Sequence, residues 1–273
     1  MFEKFYIVDD LYGSFLPYNV KFKNFSDGTK LIKKSSYTNF LGHCGNNHHN
    51  GSYSDEQLEL SKQRNLRKMK ELVYDLAYEN GCIQAWEYFA TITFDDNKVN
   101  ALDYDKAKEK LKNWLDTMRR KSSDMRYIII AELHKSGRIH FHGLFSNVNW
   151  KLTEAINPHT NRPIVKNGSK IYNIKDFNLG FTTVSKIKDM DAVTFYITKY
   201  ITKELLDIKN KKHYWASRNL NKPTKQYFNC LNDELFYEYL EKNNLNVDRY
   251  NTKVTCESVT DYYNVSNIEN CRT

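Results

Sequence analysis

Proline and glycine are scarce, with four and ten in 273 residues. That excludes a collagen-like or linker-rich chain. The five cysteines (Cys44, Cys82, Cys230, Cys256 and Cys271) are odd in number, scattered and without a CxxC pair. They fit reduced thiols in a cytoplasm better than a disulfide framework. No apolar run reaches transmembrane length, and Glu3, Asp9 and Asp10 stand where a secretory signal would be basic and then apolar. The expectation is a soluble intracellular protein with no membrane partner. The pattern GxxxxGK[ST] is missing, so an attached ATP-driven helicase is not expected. No internal repeat is found.

What is abundant is aromatic and basic. Twenty tyrosines and fifteen phenylalanines accompany a net charge of +8. Eight acidic against four basic residues lie in 231–273, so the first 230 residues carry +12. A basic body of that size favours a polyanionic partner, although a merely soluble basic protein has the same charge.

The stretch Arg126–Phe145, RYIIIAELHKSGRIHFHGLF, reads as a β-hairpin. Tyr127–Leu133 is β-branched and apolar, and Ile139–Phe145 alternates. The loop Lys135-Ser136-Gly137 ends on glycine, the residue that a three-residue hairpin loop wants at its positive-φ position. His134 then pairs with Arg138, Glu132 with His140 and Ile130 with His142. Residues two apart on a strand share a face. Glu132, His140 and His142 therefore converge, and two imidazoles with a carboxylate suit a divalent ion. The HxH pair alone reads equally as polar residues on a solvated face.

Around the hairpin, the pattern predicts a helix from Ser54 to about Gly81, a strand over 86–94 (WEYFATITF), and a helix from Asp103 to Arg120 with Ala107, Leu111, Trp114, Leu115 and Met118 on one side. A turn-rich insertion over 147–180 follows, then a strand over 181–186. A further helix runs from about Ala192 to Leu206, capped by Asp189 or Asp191. A last short helix lies near 232–242. Phe2–Val8 and Tyr18–Phe25 are short strand candidates in an otherwise irregular segment 1–53, and 243–273 reads as polar and loosely ordered. The His43, Cys44, His48, His49 cluster has one cysteine and no zinc-ligand spacing, so it reads as a polar loop.

In YITKYITK, Tyr196 and Tyr200 are four apart, as are Lys199 and Lys203. Each pair shares a helix face. A core stripe explains such tyrosines in most proteins. Beside a metal and a lysine, a phenol becomes a usable nucleophile toward phosphate.

Taken in order, FATITF, Glu132 with RIHFHGLF, and YITKYITK resemble the three motifs of the HUH rolling-circle replication initiators, in particular the two-tyrosine branch of phages and the related proteins of low-GC Gram-positive bacteria and their mobile elements. The resemblance covers about 54–220. It implies an α+β fold: an antiparallel sheet with helices on one face, RRM-like or ferredoxin-like, with the site on the open face under the tyrosine helix. A helical lead-in precedes the domain, and 221–273 forms a helical, polar C-terminal extension. The resemblance further implies Mg²⁺ or Mn²⁺ on His140, His142 and Glu132, and Tyr196 and Tyr200 as nucleophiles. Lys199 or Lys203 would polarise phosphate or phenol. Arg138, Tyr214, Trp215 and Arg218 are candidate DNA contacts, with core packing an equal explanation for the two aromatic ones. The implied activity is nicking and rejoining of single-stranded DNA at an origin, through a 5′-phosphotyrosine and a free 3′-OH, in the cytoplasm of a bacterial host and with host polymerase and helicase as partners. A conjugative relaxase or single-strand transposase would share the chemistry, and a non-catalytic DNA-binding regulator would share the scaffold.

Overall fold

The computed structural model describes residues 6–7, 20–37, 55–166, 168–208, 211–229, 233–254 and 258–267. The His43–His49 cluster, Ser54 and the side chain of Lys203 lie outside the described residues. The chain forms two compact units, one of residues 53–222 and one joining 1–52 to 223–273. Among the described residues, no helix is long and apolar enough to cross a membrane.

The 53–222 unit is α+β. In chain order it comprises α1 (Asp55–Ile83), β1 (Tyr88–Phe94), α2 (Tyr104–Lys121), β2 (Arg126–Leu133), β3 (Ile139–Ser146), β4 (Leu152–Glu154), β5 (Val165–Lys166), β6 (Ser169–Lys170), β7 (Tyr172–Ile174), β8 (Gly180–Lys186), α3 (Met190–Thr198), α4 (Lys203–Asp207) and β9 (Tyr214–Ala216). Seven strands make one antiparallel sheet in the order β9-β2-β3-β1-β8-β7-β4, and β5 pairs with β6 as a separate hairpin.

The β2–β3 hairpin forms as its sequence predicts. Gly137 takes φ +81°, and the His134 N–H donates to the Arg138 carbonyl at 2.8 Å. Glu132 pairs with His140 and Ile130 with His142. One face of the sheet carries Ile92, Phe94, Phe141 and Phe145. It is covered by α2, whose Trp114 meets Phe145 edge-on at 6.5 Å. Asp103 caps α2 by accepting from the Asp105 and Lys106 N–H groups. The other face carries the histidines. There α3 packs against α1, and α1 and α4 also reach β2, so helices partly cover this face too.

Two helix boundaries differ from the sequence expectation. Gly81 does not end α1, which continues to Ile83. A Cβ at Gly81 would lie 2.8 Å from Met190 Sδ, so the glycine lets α3 approach α1 closely. The tyrosine helix does not run unbroken to Leu206. It stops at Thr198, its last bonds tighten to i→i+3 (Lys199 N–H to Tyr196 O, 3.1 Å; Ile201 N–H to Thr198 O, 3.2 Å), and α4 restarts at Lys203. The β-branched run Ile197, Thr198, Ile201, Thr202 has low helix propensity, and burial of Ile197 and Ile201 outweighs helical continuity.

The second unit corrects the reading of 1–53 and 221–273 as separate irregular and loosely ordered segments. Strands Tyr6–Ile7, Thr224–Asn229, Val20–Asn24, Lys30–Tyr37, Ser258–Asn267 and Leu245–Val254 form one antiparallel sheet in that order. Helix Asp233–Lys242 adds Phe236 and Leu240 to a core with Phe22, Ile32, Tyr263 and Val265. Only alternate residues of these strands are apolar. Their Asn, Ser, Lys and Thr neighbours mask the period-2 signal.

Candidate active site

Register alone brings the site together. Across the sheet, Glu132, His140, Thr93 and Phe181 are successive partners, and the next same-face row holds Tyr214, Ile130, His142, Thr91 and Thr183. His142 Nε2 and Glu132 Oε2 are 2.7 Å apart. The other ring nitrogens are tethered by β1: Thr91 Oγ1 lies 3.0 Å from His142 Nδ1, and Thr93 Oγ1 lies 3.3 Å from His140 Nδ1. Each threonine hydroxyl can accept from an Nδ1–H, the tautomer that leaves Nε2 free to coordinate.

The charges follow from these contacts. The hydrogen bond with His142 holds the Glu132 carboxyl below the ordinary range, against a smaller opposing effect of burial. Burial, reinforced by His134, holds the His140 imidazole below its ordinary value and so favours the neutral, ligating form. Among the described residues no three His, Cys, Asp or Glu side chains already stand as a closed ligand set. Instead Glu132 occupies His142 Nε2, and that bond must open for the nitrogen to take an ion. The donor set, its common face and its threonine tethers suit a divalent cation with open positions.

The tyrosines stand over this row. The Tyr200 ring stacks on His142, with centroids 3.5 Å apart and planes 12° apart. Tyr200 OH donates to Tyr196 OH at 2.8 Å, and Phe89 contacts both rings. Burial first, then the bond to Tyr196, pushes the Tyr200 phenol well above its ordinary value. Tyr196 is 42% exposed. Thus the break after Thr198 still leaves the two hydroxyls together at the histidine row. Lys199 Nζ lies 5.9 Å from the Tyr196 ring centroid. Lys203 begins α4.

The structure disperses the four candidate DNA contacts. Tyr214 is on the histidine face, next to Ile130. Trp215 points to the opposite face and packs on Phe141 at 5.6 Å. Arg138 is tied to Asp96 and donates to the Phe94 carbonyl at 2.7 Å, so it fastens the hairpin loop to the end of β1. Arg218 is exposed on the segment after β9.

Three site residues were not singled out in the sequence. Thr91 and Thr93 alternate in FATITF, but their tie to the histidines needs the β1–β3 register. Phe181 is 70% exposed and lies two strands from His140, in the same row. An exposed phenylalanine has no sequence signature distinct from a buried one.

Residues 87–205 match the model of the replication-associated protein ORF2 family. No curated protein and no solved structure matches the chain. The matched span runs from the strand bearing the threonine tethers through Glu132, the histidine pair and both tyrosines. Over that span the chain belongs to the replication-associated protein ORF2 family, in keeping with a rolling-circle replication initiator.

Proposed function

We propose that this protein is a metal-dependent DNA nicking and joining endonuclease that initiates rolling-circle replication. The observation that carries the reading is the stacking of Tyr200 on His142 while its hydroxyl donates to Tyr196. This puts two phenols beside two imidazoles and a carboxylate. A mere core stripe would not place both tyrosine hydroxyls at a polar row.

His140, His142 and Glu132 would hold Mg²⁺ or Mn²⁺, which when bound offsets negative charge on a scissile phosphate. The hydrogen bond from Tyr200 favours the phenolate of Tyr196, and Tyr196 is the more exposed of the two, so Tyr196 attacks first. Its Oη forms a bond to phosphorus, the P–O3′ bond breaks, and the leaving O3′ takes up a proton. The products are a 5′-phosphotyrosine and a 3′-OH that a host polymerase can extend, with unwinding left to a host helicase. Tyr200, one turn on, repeats the attack on the regenerated site, and the freed 3′-OH attacks the first adduct to close a circle. Lys199, beside the Tyr196 ring, supplies positive charge to the phosphate or phenolate, a role open to Lys203 as well. The exposed Phe181 stacks a base of the single strand.

The test is a nicking assay on end-labelled single-stranded DNA from the protein's own replicon. The reading expects Mn²⁺-dependent cleavage at one position, abolished by EDTA. Tight, salt-sensitive binding without cleavage in any metal would instead make the protein a regulator on the same scaffold.

A further inference from the structure

The insertion between β3 and β8 builds a second feature beside the tyrosines. A cleft of about 350 Å³ opens between β8, the start of α3 and the β5–β6 hairpin, and it reaches Tyr196 and Tyr200. Its apolar part is formed by Phe89, Ile171, Ile187 and Val193. Thr183 and Ser185 add hydroxyls from the histidine-bearing face of β8. Lys166, Lys186 and Lys188 stand on its walls, all three exposed, against a single carboxylate, Asp189. That carboxylate accepts the Ala192 N–H at 2.9 Å as the α3 cap. None of the three lysines forms an ion pair among the described residues. An apolar pocket rimmed by hydroxyls and uncompensated ammonium groups is complementary to a planar base carrying a phosphate.

The hairpin wall is fixed in place. Ile164 N–H donates to Ala155 O at 2.8 Å, Ala155 N–H to Ile171 O at 2.9 Å, and Ile171 N–H to Ile164 O at 3.0 Å. Lys170 pairs with Glu154 on β4 at 2.5 Å. Lys166 and Ser169 are thereby presented to the cleft by a braced hairpin.

We infer that this cleft is a nucleotide-specificity pocket. It receives the nucleotide next to the scissile phosphate, with its base against Ile171 and Ile187 and its backbone phosphate on Lys166 and Lys188. The insertion thereby selects where the strand is cut. This rests on the nicking reading for the identity of the neighbouring phosphate, but the pocket's occupancy can be read without any cleavage.

The experiment uses the full chain and a set of single-stranded oligonucleotides covering the origin region of its replicon, each with one 4-thiothymidine. Each complex is irradiated, digested and mapped by mass spectrometry, while a parallel denaturing gel scores the covalent adduct. The expected result is crosslinking to the Ile171 or Ile187 peptide from one or two adjacent positions flanking the nick. In Lys166→Ala/Lys188→Ala, affinity should fall, and the slope of log affinity against log salt should shrink by about 0.7 for each phosphate that a lysine no longer neutralises. An adduct with every crosslink outside the cleft, or an unchanged salt slope in the double variant, overturns the pocket and leaves nicking intact. Cleft crosslinks without an adduct uphold the pocket and reject nicking. Neither signal rejects both.

Discussion

Replacing Thr91 by valine removes one hydroxyl and keeps the β-branched shape that a strand favours. The hydroxyl removed is the one 3.0 Å from His142 Nδ1, on a histidine that is only 5% exposed, so water has little access to replace it. Outer-shell partners of this kind change metal affinity by about 10–100-fold, which is about 1.4–2.7 kcal/mol at 1.36 kcal/mol per decade. The cost to folding is separate and smaller, about 1 kcal/mol for one hydrogen bond. The assay is adduct formation against Mn²⁺ concentration, with calorimetric Mn²⁺ titration beside it. Thr91→Val should raise the half-saturating Mn²⁺ by at least about 10-fold, with most of the wild-type rate restored at saturating metal. Thr93→Val removes a longer contact, 3.3 Å to His140 Nδ1, and should shift the titration less. An unchanged Mn²⁺ requirement in Thr91→Val, or a larger effect at Thr93, would refute the tethering of the histidines by β1.

Four further outcomes follow from the same geometry. Tyr196→Phe should slow the first cleavage more than Tyr200→Phe, as measured by single-turnover kinetics; the reverse order would place the first attack on Tyr200. Glu132→Gln removes a carboxyl whose folded pKa is depressed, so its stabilisation is present above the ordinary glutamate value of 4.5 and disappears as the pH falls through the lower folded value. The melting-temperature gap between wild type and this variant should therefore narrow below about pH 4.5, and a gap that widens there contradicts the sign. Phe181→Ala should weaken single-strand binding by about 1–3 kcal/mol, the usual worth of one base–aromatic stack, with Phe181→Tyr close to wild type in fluorescence anisotropy. Gly143→Ala would push a Cβ to 2.7 Å from Phe145 Cε2 and 2.9 Å from Ile129 Cγ1, on the face away from the histidines. It should cost about 1–3 kcal/mol by overpacking and lower the melting temperature by several degrees, and an unchanged melting curve would show that the core gives way there.

Much of the site was legible in the sequence because one turn fixes it. Once Gly137 takes positive φ in a three-residue loop, the β2–β3 register follows, and with it the shared face of Glu132, His140 and His142. Spacing also brought Tyr196 and Tyr200 together, although the helix ends between them. Their i,i+4 relation survives because the tighter turn at Lys199 keeps both rings on one side. What stayed hidden depends on partners distant in sequence. Thr91 and Thr93 become tethers only through pairing with β3, some fifty residues on. Trp215 looked like a stacking surface but faces Phe141, because β9 joins β2 in the register that pairs Trp215 with Ile129. The discontinuous second unit was illegible for the same reason. Lys34 on its strand Lys30–Tyr37 is 4% exposed and bonds Asp233, a partner 199 residues away that no local pattern announces.

The most direct measurement is tandem mass spectrometry of the protein after incubation with single-stranded origin DNA and Mn²⁺, with EDTA and Tyr196→Phe/Tyr200→Phe controls. The account predicts a nucleotide esterified to the peptide containing Tyr196 and Tyr200, through the tyrosine oxygen, and absent from both controls. A cleaved strand with no nucleotide on either tyrosine, or an adduct that persists in the double variant, would contradict it.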